Sequence, residues 1–172
     1  ERTQVVGSPL FGFGVGQDSK HPTVNIVNFG QGGTSLPDRD NYLKNDPRTQ
    51  KIQAAYKQYI ISLFKLTGVS DADAAKNAET IFTIETAFAK AQLSRVAMRD
   101  PNKTYNKLSV KDFGALTPHL KWNELLPRMS LKGQDSIIVA SPDFYKATVA
   151  LLAATPDGDW KAYLTGNVLK GW

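Results

Sequence analysis

The stretch IQAAYKQYIISLFKLTGVSDADAAKNAETIFTIETAFA, residues 52–89, decides the fold class. Its apolar side chains recur at intervals of three and four residues, which is the period of an amphipathic helix. The pattern breaks at TGVS, where Gly68 offers a helix stop and Ser70 begins a variant of the capping box. Because so short a link joins antiparallel neighbours, the sequence predicts two long antiparallel helices over 48–67 and 70–98.

One carboxylate interrupts the apolar stripe of the second helix. Glu85 lies between Phe82 and Phe88, and an isolated buried carboxylate costs several kcal/mol. Arg39 and Arg99 are the candidate ion-pair partners. We interpret Glu85 as part of a structural ion pair, with a catalytic carboxylate as the alternative. We expect Glu85→Ala to lower stability far more than the same change at an exposed Glu.

Apolar runs on either side of the helices predict a small sheet. Residues 9–18, PLFGFGVGQD, alternate apolar side chains with glycine, and residues 23–29, TVNIVNF, form a second run after a turn. A third apolar run, IIVA, occupies residues 137–140. We therefore predict an N-terminal hairpin and a short strand near 136–140 in an antiparallel sheet.

Residues 31–43, QGGTSLPDRDNYL, connect the hairpin to the helices. The paired glycines permit a backbone with positive φ, and Asp38 can cap a short helix through Tyr42. The segment lacks the Lys-Ser/Thr of a phosphate-binding loop. We interpret it as a scaffold corner from which Arg39 can reach a buried carboxylate.

The rest of the chain completes a mainly α fold. Asp100-Pro101 ends the second long helix, because proline disfavours a helical residue before it. Further helices are predicted over 110–116, 122–126, 142–154 and from Asp159 onward. We expect a single domain over 1–172 with 1–8 loosely ordered. We also expect apolar surface to be exposed at Trp160, Tyr163 and Trp172.

Composition excludes several classes of function. The 172 residues include 21 Lys and Arg against 16 Asp and Glu, and these charges form no cluster. A net charge of +5 spread in this way favours a solvated surface over a nucleic-acid interface. The absence of cysteine excludes disulfides and thiolate metal sites. No apolar run reaches the roughly 18 residues that span a membrane.

The residues form no catalytic motif. His21 and His119 are far apart in sequence, whereas a zinc hydrolase holds two or three ligands close together. Neither a Gly-x-Ser-x-Gly elbow nor a dinucleotide-binding glycine motif occurs. From the residues alone we assign this chain no catalytic residue, no cofactor-binding residue and no metal ligand.

Five segments, in order, resemble the N-terminal part of the neprilysin-like zinc metallopeptidases, which include neprilysin, the endothelin-converting enzymes and bacterial oligopeptidase O. The segments are LFGFGVGQDSKHPTVNIVNFGQGG, SLPDRDNYL, IETAFA, RDPNKTYNKLS and SPDFYKATVALLAATPDGDWKAYL. Together they cover about residues 10–165. Five residues of these motifs are assigned structural roles: Arg39, Glu85, Arg99, Asp100 and Tyr105.

The resemblance implies a function for a parent protein. In this family His-Glu-x-x-His and a later Glu, both in the C-terminal region, hold the catalytic zinc, and the His-Glu-x-x-His motif is absent from this sequence. The matched region belongs to a helical domain that covers the active-site cleft. The resemblance therefore implies a non-catalytic cap region of a zinc metalloendopeptidase, inactive alone, which serves peptide substrates together with the missing catalytic domain.

The resemblance also implies an extracytoplasmic protein of bacterial origin, whether periplasmic, secreted or an anchored ectodomain. The alternative is a stand-alone helical module that binds peptides or proteins without a catalytic partner. A His-Glu-x-x-His motif encoded downstream of Trp172 would favour the first interpretation, and a stop codon there would favour the second. An independent hydrolase has no supporting motif.

Overall fold

The computed structural model describes residues 9–171. The expectations for residues 1–8 and for Trp172 lie outside the described residues. The described chain contains nine helices and four strands, and the predicted mainly α class is confirmed. The helices are α1 (Asp40–Leu43), α2 (Pro47–Lys65), α3 (Asp71–Ala91), α4 (Arg95–Met98), α5 (Pro101–Thr104), α6 (Val110–Leu116), α7 (Trp122–Arg128), α8 (Pro142–Ala154) and α9 (Asp157–Leu169).

The described residues divide into two compact units. Unit 1 comprises residues 9–32 and 91–152, and unit 2 comprises residues 33–90 and 153–171. Unit 1 contains the whole sheet, while unit 2 contains both long helices and α9. The expectation of a single domain stays a prediction.

Unit 1 is built on a mixed four-stranded sheet. Its strands are β1 (Phe13–Asp18), β2 (His21–Phe29), β3 (Asn106–Ser109) and β4 (Ser136–Val139), in the order β1-β2-β4-β3. The hairpin and the strand near 136–140 are confirmed. The sheet is not wholly antiparallel, because β2 and β4 pair parallel through a long crossover. Strand β3 was not predicted, because its four residues are too few to show an alternating pattern.

The core of unit 1 is aromatic. Phe29 on β2 is 1% exposed, and its ring centroid lies 5.2 Å from that of Trp122 on α7. Phe113 on α6 stacks on Trp122 at 4.6 Å and meets Tyr145 of α8 edge-on at 5.0 Å. Such ring pairs add specific geometry to the burial of apolar area. Helices α6, α7 and α8 are therefore held to the sheet by a shared ring cluster.

Local capping sets the starts of α3 and α6 where the sequence predicted them. Ser70 and Ser109 accept the backbone N–H groups of Asp73 and Asp112 at 3.1 and 3.0 Å, so the predicted Ser70 cap is confirmed and Ser109 caps α6 in the same way. Gly68, with a φ of 83°, closes the turn after α2. The predicted helices over 110–116 and 142–154 have the predicted bounds.

The second long helix is shorter than predicted. It ends at Ala91 instead of near Met98, and Ser94 caps the separate helix α4. The Gln31 side-chain amide binds the intervening backbone, since it accepts from the Leu93 N–H at 2.8 Å and donates to the Leu93 carbonyl at 3.1 Å. A continuing helix would need those backbone groups for its own hydrogen bonds.

Asp100 and Pro101 also differ from the prediction, which placed them at the end of a helix. Asp100 and Pro101 begin a helix, because the Asp100 carboxylate accepts the backbone N–H of Asn102 at 2.9 Å and Pro101 takes the first position of α5. Proline is tolerated there, since the first helical N–H has no partner within the helix. Asp100 is therefore an N-cap.

Unit 2 is centred on the predicted antiparallel pair of α2 and α3. Lys65 binds Asp71 beside the link at 2.9 Å, and Lys57 binds Glu79 further along both helices at 2.7 Å. Between the two ion pairs, the residue number rises on α2, from Lys57 to Lys65, and falls on α3, from Glu79 to Asp71. The two helices are therefore antiparallel. The amphipathic period therefore predicted both helices and their relative direction.

The C-terminal helix α9 packs closely in unit 2 because Gly166 has no side chain. A Cβ there would lie 2.5 Å from Ile81 Cδ1. Close packing thus explains why glycine occupies this position, although glycine destabilises a helix by about 1 kcal/mol relative to alanine. The predicted exposure of Tyr163 is wrong, because its side chain is 1% exposed and its ring lies 6.1 Å from that of Phe88.

Candidate functional site

The carboxylate of Glu85 on α3 is completely buried in unit 2. Its Oε1 atom accepts hydrogen bonds from Ser35 Oγ at 2.7 Å, Tyr56 Oη at 2.8 Å and Lys170 Nζ at 3.1 Å. Its Oε2 atom accepts one from Tyr42 Oη at 2.7 Å. These donors satisfy the carboxylate and offset the cost of removing its charge from water. We call these five residues the Glu85 centre.

Tyr42 connects the Glu85 centre to the loop before α1. Its hydroxyl donates to Glu85 and accepts the backbone N–H groups of Ser35 and Leu36 at 3.0 and 2.8 Å. The loop backbone and the Ser35 side chain therefore bind to the same centre. This geometry supports the interpretation of residues 31–43 as a scaffold corner.

The cation at the Glu85 centre is Lys170, in place of the predicted Arg39 or Arg99. Lys170 directly follows α9, its side chain is 8% exposed, and its Nζ also donates to Tyr56 Oη at 3.2 Å. Arg39 directly precedes α1, and Arg99 is exposed after α4. Local sequence patterns could not identify Lys170, because it lies 85 positions beyond Glu85, just after another helix.

The tyrosines of the Glu85 centre are unsuited to proton transfer. Burial, followed by the negative charge of Glu85, raises the pKa of Tyr42 and of Tyr56 far above its ordinary value. Both hydroxyls therefore stay protonated at neutral pH and continue to donate to the carboxylate. A general acid or base works best with a pKa near the working pH, so these groups act as structural donors.

Gly33 lets the loop pass close to α3. Its φ is 86°, and a Cβ at this position would lie 2.3 Å from Cγ of the Phe88 ring. Its carbonyl also accepts a hydrogen bond from Tyr163 Oη at 3.1 Å. Only glycine combines this φ with so close an approach. The predicted positive φ within Gly32-Gly33 is therefore confirmed at Gly33.

A second buried carboxylate, Asp18, lies at the end of β1 in unit 1. It accepts hydrogen bonds from Lys107 Nζ and Tyr105 Oη, each at 2.8 Å, and from the Lys20 backbone N–H at 3.0 Å. Lys20 Nζ lies 4.4 Å from the centroid of the Tyr105 ring. These contacts attach the β1–β2 turn to the start of β3. We call these four residues the Asp18 centre.

Tyr105 was predicted to have a structural role, but no role was predicted for Asp18, the carboxylate that it binds. The hydrogen bond from Lys107 holds the pKa of Asp18 well below its usual range, although burial acts in the opposite direction. A carboxylate held in its ionised form in this way is a poor proton acceptor at neutral pH. Asp18 follows an apolar strand at a turn, and an exposed turn residue would give the same sequence signal.

Unit 1 also has an open surface cavity of about 610 Å³ between α6, α7 and the segment before β4. Its lining includes the charged side chains of Lys111 and Asp135. The one hydroxyl in the lining belongs to Ser109, which already caps α6 by binding Asp112. The hydroxyl in this cavity therefore serves the helix cap.

The described residues assemble no catalytic constellation. Among residues 9–171, no group of three or more His, Asp or Glu side chains could hold a metal ion, and His21 and His119 are both exposed. Over the same residues, no helix has the length and apolar character needed to cross a membrane.

The chain belongs to peptidase family M13. The family model for the N-terminal part matches residues 2–172, which confirms the resemblance to the neprilysin-like enzymes. The rat endothelin-converting enzyme 1 is 27% identical over 168 residues, which are 95% of this chain and 22% of that protein. The rat endothelin-converting enzyme-like 1 is 28% identical over 93% of this chain and 21% of its own length.

A solved structure shows the same relationship. The open state of the Mycobacterium tuberculosis zinc metalloprotease ZMP1 superposes with a TM-score of 0.85 at 28% identity. The alignment covers 95% of this chain and 25% of that one. This chain therefore spans about a quarter or less of the length of the proteins that it matches.

Proposed function

We propose that this chain is the non-catalytic helical cap region of a zinc metalloendopeptidase and limits access to its active-site chamber. The observation that carries the proposal is the N-terminal family match over residues 2–172 of a sequence without His-Glu-x-x-His. The donor groups of the described residues do not fit a zinc site. We assign the zinc and the chemistry of peptide hydrolysis to a catalytic part of the parent protein.

A cap of this kind acts by sterics. A flexible peptide can enter a walled chamber, whereas a folded protein cannot, so the wall must keep its shape. The Glu85 centre supports such stiffness, since it joins three segments distant in sequence to one carboxylate on α3. Fully bonded buried polar networks rigidify the structure around them.

The non-catalytic role can be tested on the purified chain. After equilibration with zinc and gel filtration, the chain should retain no stoichiometric metal and should leave a fluorogenic peptide intact. The full-length M. tuberculosis zinc metalloprotease serves as the positive control under the same conditions. Chelator-sensitive cleavage by the pure chain would refute the proposal.

The gating role needs a catalytic partner. This chain can replace the matching quarter of the M. tuberculosis enzyme, since the two superpose closely. We expect the chimera to cleave a short peptide and to spare the same sequence inside a folded domain. Equal cleavage of both substrates by a correctly folded, zinc-loaded chimera would contradict the gating role.

We extend the proposal to an extracytoplasmic site of action in a bacterial cell, as a periplasmic, secreted or anchored protein. The family resemblance supports the location, and the similarity to a bacterial structure supports the origin. Fractionation of cells that express the natural full-length gene would test the location. Recovery of the protein in the cytosol would contradict it.

A further inference from the structure

Strand β1 forms one edge of the sheet, and its outer side has no partner among the described residues. The Gly30 N–H donates to the Gly12 carbonyl at 2.8 Å, which makes these two residues a hydrogen-bonded pair. Hydrogen-bonded and non-bonded pairs alternate along an antiparallel ladder. The backbone groups of Phe13, Val15 and Gln17 therefore point away from β2, to the free edge.

The hydrogen bonds on the other side of β2 confirm which residues of β1 face the free edge. Phe29 is the register partner of Phe13, and its carbonyl accepts from the Ala140 N–H at 2.9 Å, at the end of β4. The backbone of Phe29 thus faces β4 and not β1. The backbone groups of Phe13, Val15 and Gln17 on β1 therefore face outward.

This edge lacks the usual protection of edge strands. Natural sheets shield an edge with charges, with proline or by keeping the strand very short. The other edge of the sheet, β3, has four residues and carries Lys107. By contrast, residues 13–17 of β1 are Phe-Gly-Val-Gly-Gln, with no charge and no proline. No strand among residues 9–171 pairs with the outer side of β1, which leaves that edge available to another extended backbone.

We propose that the β1 edge binds an extended peptide by strand addition, with the backbone of Phe13, Val15 and Gln17 forming the new ladder. The choice of a peptide as the occupant rests on the proposed function. Val15 is 62% exposed and offers an apolar contact on one face, while the other face has no atom within 4 Å of a Cβ placed on Gly14. An uncharged segment of about five residues with bulky apolar side chains matches this edge.

Two variants at one position separate backbone from side-chain contributions. Val15→Pro removes the N–H that faces the free edge and leaves the bonds to β2 intact, since proline is tolerated on edge strands. Val15→Thr keeps that N–H and changes only the side chain. The probe is a fluorescein-labelled Ser-Val-Thr-Val-Ser peptide flanked by lysines, and its control is the same peptide N-methylated at alternate residues.

We expect Val15→Thr, which keeps the N–H and one methyl group, to bind the probe almost as tightly as the parent chain, and Val15→Pro to bind about tenfold more weakly. Probe binding should slow hydrogen exchange at the Val15 and Gln17 amides of the parent chain. The methyl groups can be placed on either set of alternate residues, which gives two N-methylated peptides. The one whose methyl groups replace the N–H groups that face β1 should fail to bind the parent chain. This last measurement needs no protein variant, so it stands even if Val15→Pro unfolds.

Three outcomes would overturn the inference. The first is equal binding of the probe by Val15→Pro and the parent chain. The second is binding that protects amides elsewhere. The third is protection at Val15 that rises with protein concentration alone, accompanied by dimers in sedimentation, because the occupant would then be a second copy. None of these outcomes changes the zinc content or the absence of cleavage, so the cap proposal is tested separately.

Discussion

Glu85 in unit 2 and Asp18 in unit 1 are both completely buried, yet their cations differ in exposure. Glu85 binds three hydroxyl groups and Lys170, whose side chain is 8% exposed. Asp18 binds one hydroxyl, one backbone N–H and Lys107, whose side chain is 35% exposed. Water can replace an exposed partner of a carboxylate but not a buried one. Removing a member of the Glu85 centre should therefore cost more stability than removing a member of the Asp18 centre.

The largest effect should come from removing the carboxylate of the Glu85 centre. Glu85→Ala leaves Lys170 as an unpaired buried charge, and the free energy of unfolding should fall by about 3–5 kcal/mol. Urea unfolding followed by circular dichroism measures this loss. Glu79→Ala is the matched control on the same helix. Its side chain is 64% exposed beside Lys57, so the control should lose at most about 1 kcal/mol. Equal losses would contradict the structural role of Glu85.

Removing each lysine in turn tests the comparison itself. Lys170→Met keeps the length of the side chain but leaves Glu85 with hydroxyl donors only, and we expect a loss of about 3 kcal/mol. Lys107→Met should cost less, because the Lys107 side chain is 35% exposed and the solvent around it already screens its interaction with Asp18. The two urea midpoints, measured side by side, decide the question. A larger loss for Lys107→Met would show that exposure of the cation does not set the difference.

The smallest effect is an acid-dependent one at the Asp18 centre. The folded pKa of Asp18 lies well below its usual value, so its stabilising contribution is complete above the unfolded pKa, about 3.9, and is lost as the pH falls towards the folded pKa. The difference in unfolding free energy between the parent chain and Asp18→Asn should therefore be constant near neutral pH and shrink below about pH 4. A difference that persists unchanged in stronger acid would contradict a depressed pKa.

The two centres also show how far the sequence predicted the candidate site. Glu85 was recognisable because it breaks a helical period, and a break in a regular pattern requires a buried partner. Asp18 was not recognisable, because a carboxylate at the end of a strand is equally common in an exposed turn. The predicted partners of Glu85 were wrong because Lys170 reaches it from the end of a distant helix.

Elements whose causes are local could be predicted from the sequence. The period of α2 and α3, the serine caps of α3 and α6, and the positive φ at Gly68 depend on neighbours a few residues away. Family membership was likewise readable, since motifs keep their order along the chain.

Which distant groups meet depends on how the whole chain packs. The parallel pairing of β2 with β4, the end of α3 at Ala91 and the choice of Lys170 as the partner of Glu85 all join segments far apart in sequence. All three features have the same physical cause. A buried polar group or an unpaired strand must find a partner somewhere, and packing of the whole chain determines which one lies within reach.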